Sequence, residues 1–246
     1  MNLIDVSIVS HGQDDLVKSL LNDLSKNSKL ISKVIVTFNK KSDLIINKEY
    51  PFELILIYNK VRKGFAENHN HAFSHCDSEY FCVMNPDIKL VHEPFSNLLK
   101  CLSEESVGIV APIVISSEGF LEDSFRKFPT LFDLLKKTFF NSPPKVFEEN
   151  LIKDCYPDWL AGMFLLVNRK LFEKLKGFDE SFYLYYEDVD FSLRSWNIGY
   201  KVKLCSSAVI IHDAQRKSHK KLKYFVWHIK SVFKFFIKHF SKYPML

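Results

Sequence analysis

Three acids fall within four residues, Glu187, Asp188 and Asp190, directly behind an aromatic run from Phe182 to Tyr186. A carboxylate on a rigid helix start, behind aromatic side chains and near an Ala161-Gly162-Met163 turn, suits a general base in a water-poor pocket. Acids in a first helical turn also simply answer the helix dipole, and that is the competing reading of Glu187 and Asp188. Asp87 ends the tripeptide Asn85-Pro86-Asp87 after an apolar run. One carboxylate at a strand tip can hold a hard divalent ion beside a diphosphate, although Asn-Pro-Asp is equally an ordinary turn. The basic loop Asn59-Lys60-Val61-Arg62-Lys63-Gly64 opens a helix carrying Asn68 to His71. Glycine and cations at a helix start suit a phosphate group, and a solvated basic turn is the alternative. Trp159 is either a buried aromatic or a wall for a ligand ring, and Gly162 permits close backbone approach. His212 follows Ile210 and Ile211, where it either caps a ladder or faces a ligand.

These residues need a scaffold, and the hydrophobic pattern predicts one. Strands are expected at Asp5 to Ser10, Lys33 to Phe38, Glu53 to Tyr58, Glu79 to Met84, Met163 to Val167, Tyr200 to Leu204 and Ala208 to Ile211. Another spans Val107 to Val114, broken by Pro112, with a hairpin turn at Ser116 to Gly119. Leu16, Val17, Leu20, Leu21 and Leu24 recur at helical spacing behind Asp14, and Val189, Leu193 and Trp196 do so after the acids, with Asp190 and Arg194 paired at i, i+4. Short helices are expected at Lys170 to Leu175 and around Leu131, Leu134 and Leu135, while residues 141–157, with Pro143-Pro144, read as a mobile or variable loop. Strand, helix, strand without tight hairpins predicts an α/β fold with a mostly parallel sheet. Ligands bind such sheets beyond the carboxyl ends of the strands, which directs attention to the loops at 11–13, 39–41 and 59–64.

With 246 residues and 47% hydrophobic content, the chain can bury a core of single-domain size. Its net charge of +5 is uneven: nine Lys or Arg and no acid follow Asp213, leaving 25 basic against 29 acidic residues before it. An acidic body with a basic tail is not the spread footprint of a nucleic-acid-binding domain, so no nucleic acid is expected as a partner. The five cysteines, 76, 82, 101, 155 and 205, show no metal-ligand spacing and read as buried thiols of a reducing compartment. The start lacks a signal-peptide core and no run matches an uncharged span, so a cytoplasmic location is expected. From Lys220 to Lys242, Leu222, Phe225, Val226, Ile229, Val232, Phe233, Phe236 and Phe240 form a stripe opposite Lys223, Lys230, Lys234 and Lys238. Such a helix suits an anionic membrane surface, placing the protein peripherally on the inner face of the cell membrane, or it packs back on the domain. The domain division expected is 1–213 for the body and 214–246 for the helical tail.

The ordered set Ala161-Gly162-Met163, Gly177-Phe178-Asp179-Glu180, Glu187-Asp188-Val189-Asp190, Arg194, Gly199-Tyr200 and His212 resembles the family 2 glycosyltransferases, in particular their rhamnosyltransferase-like branch, over roughly residues 4 to 214. The resemblance implies a GT-A-type nucleotide-diphospho-sugar transferase fold and inverting transfer from a nucleotide-diphosphate donor to a hydroxyl of a cell-surface glycan or lipid-linked saccharide. It implies Asp188 as the catalytic base, with Glu187 in reserve, and a donor site of Ser10, His11, Asn39, Lys63, Gly64, Asn70, Asn85 and Asp87. Trp159 and Gly162 fall to the acceptor, and Asp87 with His212 to a divalent cation, Mn²⁺ or Mg²⁺. The family's metal motif often reads Asp-any-Asp, whereas its first position here is Asn85. Many members also carry a base-reading acid in the second-strand loop, where this chain has Phe38-Asn39-Lys40-Lys41, so the donor is left between dTDP-rhamnose and a UDP-sugar. The rival expectation is a non-catalytic, transferase-like scaffold attached to the membrane by its tail.

Overall fold

The computed structural model describes residues 3–44, 46, 48–129, 153–212 and 222–239. The chain begins with β1 (Ile4–Ser10), α1 (Asp14–Lys26), β2 (Ile31–Phe38), β3 (Glu53–Tyr58), α2 (Phe65–Phe73), β4 (Tyr80–Met84) and β5 (Ile88–Lys89). It continues with α3 (Phe95–Leu102), β6 (Val107–Ile115), β7 (Phe125–Arg126), β8 (Trp159–Leu160), β9 (Phe164–Asn168), α4 (Arg169–Lys174), α5 (Glu187–Asn197), β10 (Lys201–His212) and α6 (Leu222–His239). Eight strands form one sheet in the order β3-β2-β1-β4-β9-β6-β10-β5, and β7 pairs with β8 alone. The β3-β2-β1-β4 half and the β6-β10 pair are parallel, while β9 and β5 run antiparallel to their neighbours. The expected mostly parallel sheet is therefore present.

Side-chain alternation assigns the two faces. Val34, Val36, Cys82 and Met84 join a core with Val17, Leu20, Leu21 and Leu24 of α1 and with Phe95, Leu98 and Leu102 of α3. Ile35, Phe81 and Val83 point the other way, toward Ala66 and Ala72 of α2, Leu171 and Phe172 of α4 and Phe191 of α5. A third cluster joins Phe182, Tyr186, Val189 and Leu193 to Val232 and Phe235 of α6. Burial of a large apolar side chain contributes about 1.5–3 kcal/mol, so Phe235, fully buried, is a principal anchor of that helix.

Two expectations about strands need correction. Pro112 does not break β6, which runs unbroken from Val107 to Ile115, and the two strands expected at Tyr200 to Leu204 and Ala208 to Ile211 are one strand, β10, which starts at Lys201. Pro112 sits opposite Cys205, and the register then jumps so that Ile113 pairs with Val209. Proline has no N–H to give the ladder, and the partner strand bulges where that bond is missing. At Pro86 the strand does stop: β4 ends at Met84 and presents Asn85 and Asp87 beyond it. The expected helix around Leu131, Leu134 and Leu135, most of the 141–157 loop, and Asp213, Lys220, Phe240 and Lys242 lie outside the described residues. At the end of that loop, Cys155 bridges to Leu204 and Asp154 accepts from Ser206.

The tail helix packs back on the body along one face. Ser231, Val232, Phe235 and His239 are buried, whereas Leu222, Phe225, Val226, Ile229, Phe233 and Ile237 are exposed. Asp190, with no exposure, ties the two together. Its Oδ1 accepts from Lys238 Nζ at 2.5 Å and meets His239 Nε2 at 2.7 Å, and its Oδ2 accepts from Arg194 Nε at 2.7 Å. Arg194 also donates to the carbonyls of Leu175 and Gly177. Burial raises the Asp190 carboxyl, but His239, Arg194 and Lys238 outweigh it and hold the group below its usual range.

Candidate active site

A cleft of about 800 Å³ opens beyond the carboxyl ends of β1 and β4, on the side reached by the first turn of α5. His11, Lys40, Arg62, Lys63, Asn85 and Asp87 line one part of it, and Gly162, Tyr183, Tyr185, Glu187 and Asp188 another. Lys223, Tyr224 and Trp227 of α6 complete the wall. The basic loop is held by three amides. Asn39 Oδ1 accepts from Lys63 N and Asn59 Nδ2, and Asn39 Nδ2 donates to Lys63 O. Asn68 Oδ1 accepts the second Asn59 proton, and its Nδ2 donates to Gly64 O at 2.7 Å. Gly64 itself passes close under the aromatic run: a Cβ there would meet the Tyr183 carbonyl oxygen at 2.6 Å. Phe65 N donates to that same oxygen, so the two segments are stitched together.

The acids sit where the chain bends sharply. Tyr185 and Tyr186 both adopt φ of +71°, a left-handed conformation costly for aromatic residues and typical of over-determined functional segments. The bend delivers Glu187 and Asp188 into the cleft and starts α5, whose first backbone bond runs from Asp190 N to Tyr186 O. Asp188 Oδ2 accepts from Gly162 N at 2.9 Å and Oδ1 from Val189 N at 2.8 Å. A Cβ on Gly162 would fall 2.9 Å from the Phe65 ring, so glycine is what lets that N–H reach the carboxylate. Burial pushes Asp188 above the usual carboxylate range, with the Gly162 and Val189 amides and Arg126 pulling it back. Glu187 is pushed well above, first by burial and then by Asp188, and its Oε2 is buried with no hydrogen-bond partner. Of the two, Glu187 is the more strongly raised, so Asp188 ionises first.

Asp87 and His212 face each other across the end of the sheet. β5, beyond Asp87, pairs with the end of β10 through Ile88 and His212. Asp87 Oδ1 is buried without a hydrogen bond and lies 3.3 Å from His212 Nε2, and His212 Nδ1 is also unpartnered. A carboxylate oxygen and an imidazole nitrogen converging without a hydrogen bond between them fit a divalent cation. Among the described residues a closer cluster of three potential donors is Cys101, Asp154 and Cys205, but Asp154 there is paired with Lys203 at 2.9 Å.

The structure brings His11, Lys63, Asn85, Asp87, Gly162, Glu187 and Asp188 to one cleft. Other expected site residues lie behind it. Ser10 is buried and accepts from Gln13 N, and Asn39 and Gly64 shape the basic loop. Asn70 bonds to both backbone groups of Phe178 and to Glu180, tying α2 to the Gly-Phe-Asp turn instead of facing the cleft. Trp159 lines a neighbouring cavity, with its Nε1 donating to Lys127 O. Sequence reasoning missed Arg62 and Lys40 as cleft residues, although both stand in loops it had marked. It also missed Lys223, Tyr224 and Trp227, because helical period says nothing of what a helix end abuts.

Residues 22–242 match the model of the glycosyltransferase-like family 2. The rhamnosyltransferase WbbL of Escherichia coli K12 is 29% identical over 244 residues, 95% of this chain and 92% of that protein. The N-acetylglucosaminyl-diphospho-decaprenol L-rhamnosyltransferase of Mycobacterium tuberculosis is 28% identical over 167 residues, 64% of this chain and 54% of that one. Among solved structures, a Pyrobaculum calidifontis mannosyltransferase in complex with GDP-Man and Mn²⁺ superposes with a TM-score of 0.64 at 17% identity. The superposition covers 98% of this chain and 65% of that one, and it establishes the GT-A-like fold.

Proposed function

Since the chain belongs to the glycosyltransferase-like family 2, we propose that it transfers a sugar, with inversion, from a nucleoside-diphosphate donor to a hydroxyl of a glycan or lipid-linked saccharide. The observation that carries this reading is one cleft lined at once by Lys63, Arg62, Asp87 and Asp188. Lys63 and Arg62 face the donor phosphates, and Asp87 with His212 would hold a divalent cation. That ion, when bound, supplies positive charge beside the departing diphosphate. Asp188 takes the proton from the acceptor hydroxyl as its oxygen attacks the anomeric carbon. The new glycosidic bond forms on the face opposite the breaking bond to the diphosphate, and no protein acid is needed there. Glu187, buried and protonated, keeps water and a second negative charge out of the pair. Similarity to WbbL along nearly the whole chain supports dTDP-rhamnose as the first donor to try, with a UDP-sugar next.

Calorimetric titration of UDP, dTDP and GDP, with and without Mn²⁺, tests the donor site. One nucleotide binds with metal dependence, and Asp87→Ala removes that dependence. Heat from none of the three counts against a transferase.

The outward face of α6 supports attachment to an anionic membrane. Leu222, Phe233 and Ile237 are among its most exposed apolar side chains, Lys230 lies beside them, and the inward face is already occupied. No helix among the described residues is long and apolar enough to cross a membrane, so contact is at the surface. Phe233→Glu together with Ile237→Glu abolishes co-sedimentation with vesicles containing phosphatidylglycerol and leaves the melting temperature unchanged, since both side chains are solvent-facing. Equal sedimentation of the pair and the parent protein would rule out this face.

A further inference from the structure

The tail helix is anchored in the core by one half only. Its buried residues, Ser231, Val232, Phe235 and His239, all lie in the second half, and none of residues 222–230 is buried. Yet the first half is the part that walls the donor cleft, through Lys223, Tyr224 and Trp227. Ring contacts hold it there: Trp227 lies 4.7 Å from Tyr183 between ring centres, and Tyr224 packs edge-on against Trp227 at 5.3 Å. A segment with few buried apolar contacts opens locally at low free-energy cost. On the other side of the same turns, Leu222, Phe225, Val226 and Ile229 recur at i, i+3, i+4 and i+7, all exposed. Lys223 shows what this wall brings. Its Nζ lies 4.5 Å from the Trp227 ring centre, and among the described residues no carboxylate pairs with it. Lys63 of the basic loop, in contrast, shares its charge with Glu67 at 3.0 Å. The wall therefore sets a further ammonium in the cleft that Lys40, Arg62 and Lys63 line.

We propose that an anionic lipid surface seats the first half of α6 against the cleft, with Lys223 on the donor diphosphate, so that membrane contact tightens donor binding. The inference rests on the transferase and membrane readings and adds a coupling between them. The helix geometry supplies the differential that such a coupling needs. Leu222, Val226, Ile229, Phe233 and Ile237 form one exposed stripe across both halves. A flat surface buries all five together only when α6 is one straight helix, and that is the shape in which Lys223, Tyr224 and Trp227 line the cleft.

The test titrates UDP and dTDP, with Mn²⁺, into the full chain alone, with phosphatidylglycerol vesicles and with phosphatidylcholine vesicles. Phosphatidylglycerol lowers the Kd of the nucleotide that binds by about 3- to 10-fold, the gain expected when the competent state is occupied about a third to a tenth of the time without lipid. Phosphatidylcholine does not. The anionic surface itself repels a nucleotide, so tighter binding there is not an effect of vesicle charge. Lys223→Ala still co-sediments at saturating lipid, because the apolar stripe is intact, but loses most of the gain in affinity. The Phe233→Glu, Ile237→Glu pair keeps the lipid-free Kd when vesicles are present. Sedimentation of the parent protein with an unchanged Kd overturns the coupling and leaves both underlying readings standing, and so does an equal gain in Lys223→Ala. Absence of nucleotide binding under every condition fails the transferase reading, absence of sedimentation fails the membrane reading, and either takes the coupling with it.

Discussion

Asp188→Asn lowers kcat by roughly 10²–10⁴-fold while nucleotide still binds, because the amide keeps the shape of the carboxylate and loses its proton affinity. The Gly162 N–H that now orients Oδ2 finds the amide oxygen in the same place and the turn at 161–163 is kept, while the bond from Val189 N to Oδ1 is lost. A fall in nucleotide affinity equal to the fall in kcat would remove Asp188 from the role of base. The pH profile gives a second reading. Burial sets Asp188 above the ordinary carboxylate range, and a base works only when deprotonated, so activity is lost as pH falls through that raised value. Glu187→Gln retains activity and leaves the acid limb where it is, since a Glu187 that already holds its proton places no charge beside Asp188.

The second large effect concerns stability. Asp190→Ala leaves Arg194, Lys238 and His239 converging on an empty, fully buried point. Removing one partner of a buried ionic cluster costs about 3–5 kcal/mol, which for a chain of this size is a loss of roughly 6–20 °C in melting temperature. An unchanged melting curve would show that α6 does not depend on this contact. The sign with pH is fixed. The folded Asp190 has a lowered pKa, so its contribution is present above the unfolded carboxylate value and is lost as pH falls through the folded one. The same cluster warns against using tail deletion to probe membrane binding. A chain ending at residue 218 strips Lys238 and His239 from Asp190 and uncovers Phe182, Val189 and Leu193, so it fails in folding before it can report on lipids.

Much of this molecule was legible from its period and its punctuation. Glu53–Tyr58 was read to the residue, and Pro86 marked the end of β4, because a residue without an N–H cannot extend a central ladder. The same rule misled at Pro112, where the partner strand absorbs the missing bond and no sequence rule names the partner. The acids were found from their company, with Asp188 set ahead of Glu187, but the backbone bond that sets Asp188 apart was not. Asp188 and Glu187 differ by one bond from Gly162, and the shared bond spans 26 residues. α6 was the least legible. Its apolar stripe is two stripes side by side, one turned inward with Ser231 and His239 and one turned out, and a 3.6 period alone cannot separate them. Arg126 escaped because two-residue strands have no period at all.

The three linked amides of Asn39, Asn59 and Asn68 have a thermodynamic consequence. A loop that must freeze around an incoming nucleotide gives up configurational freedom at that moment, and affinity suffers by that amount. Here the basic turn loses its freedom earlier, when the polypeptide folds, since Asn39 and Asn68 already hold the backbone of Lys63 and Gly64. On the proposed reading, the backbone that carries the cations is set before the phosphates arrive, and the association carries little entropic penalty from the main chain of this segment.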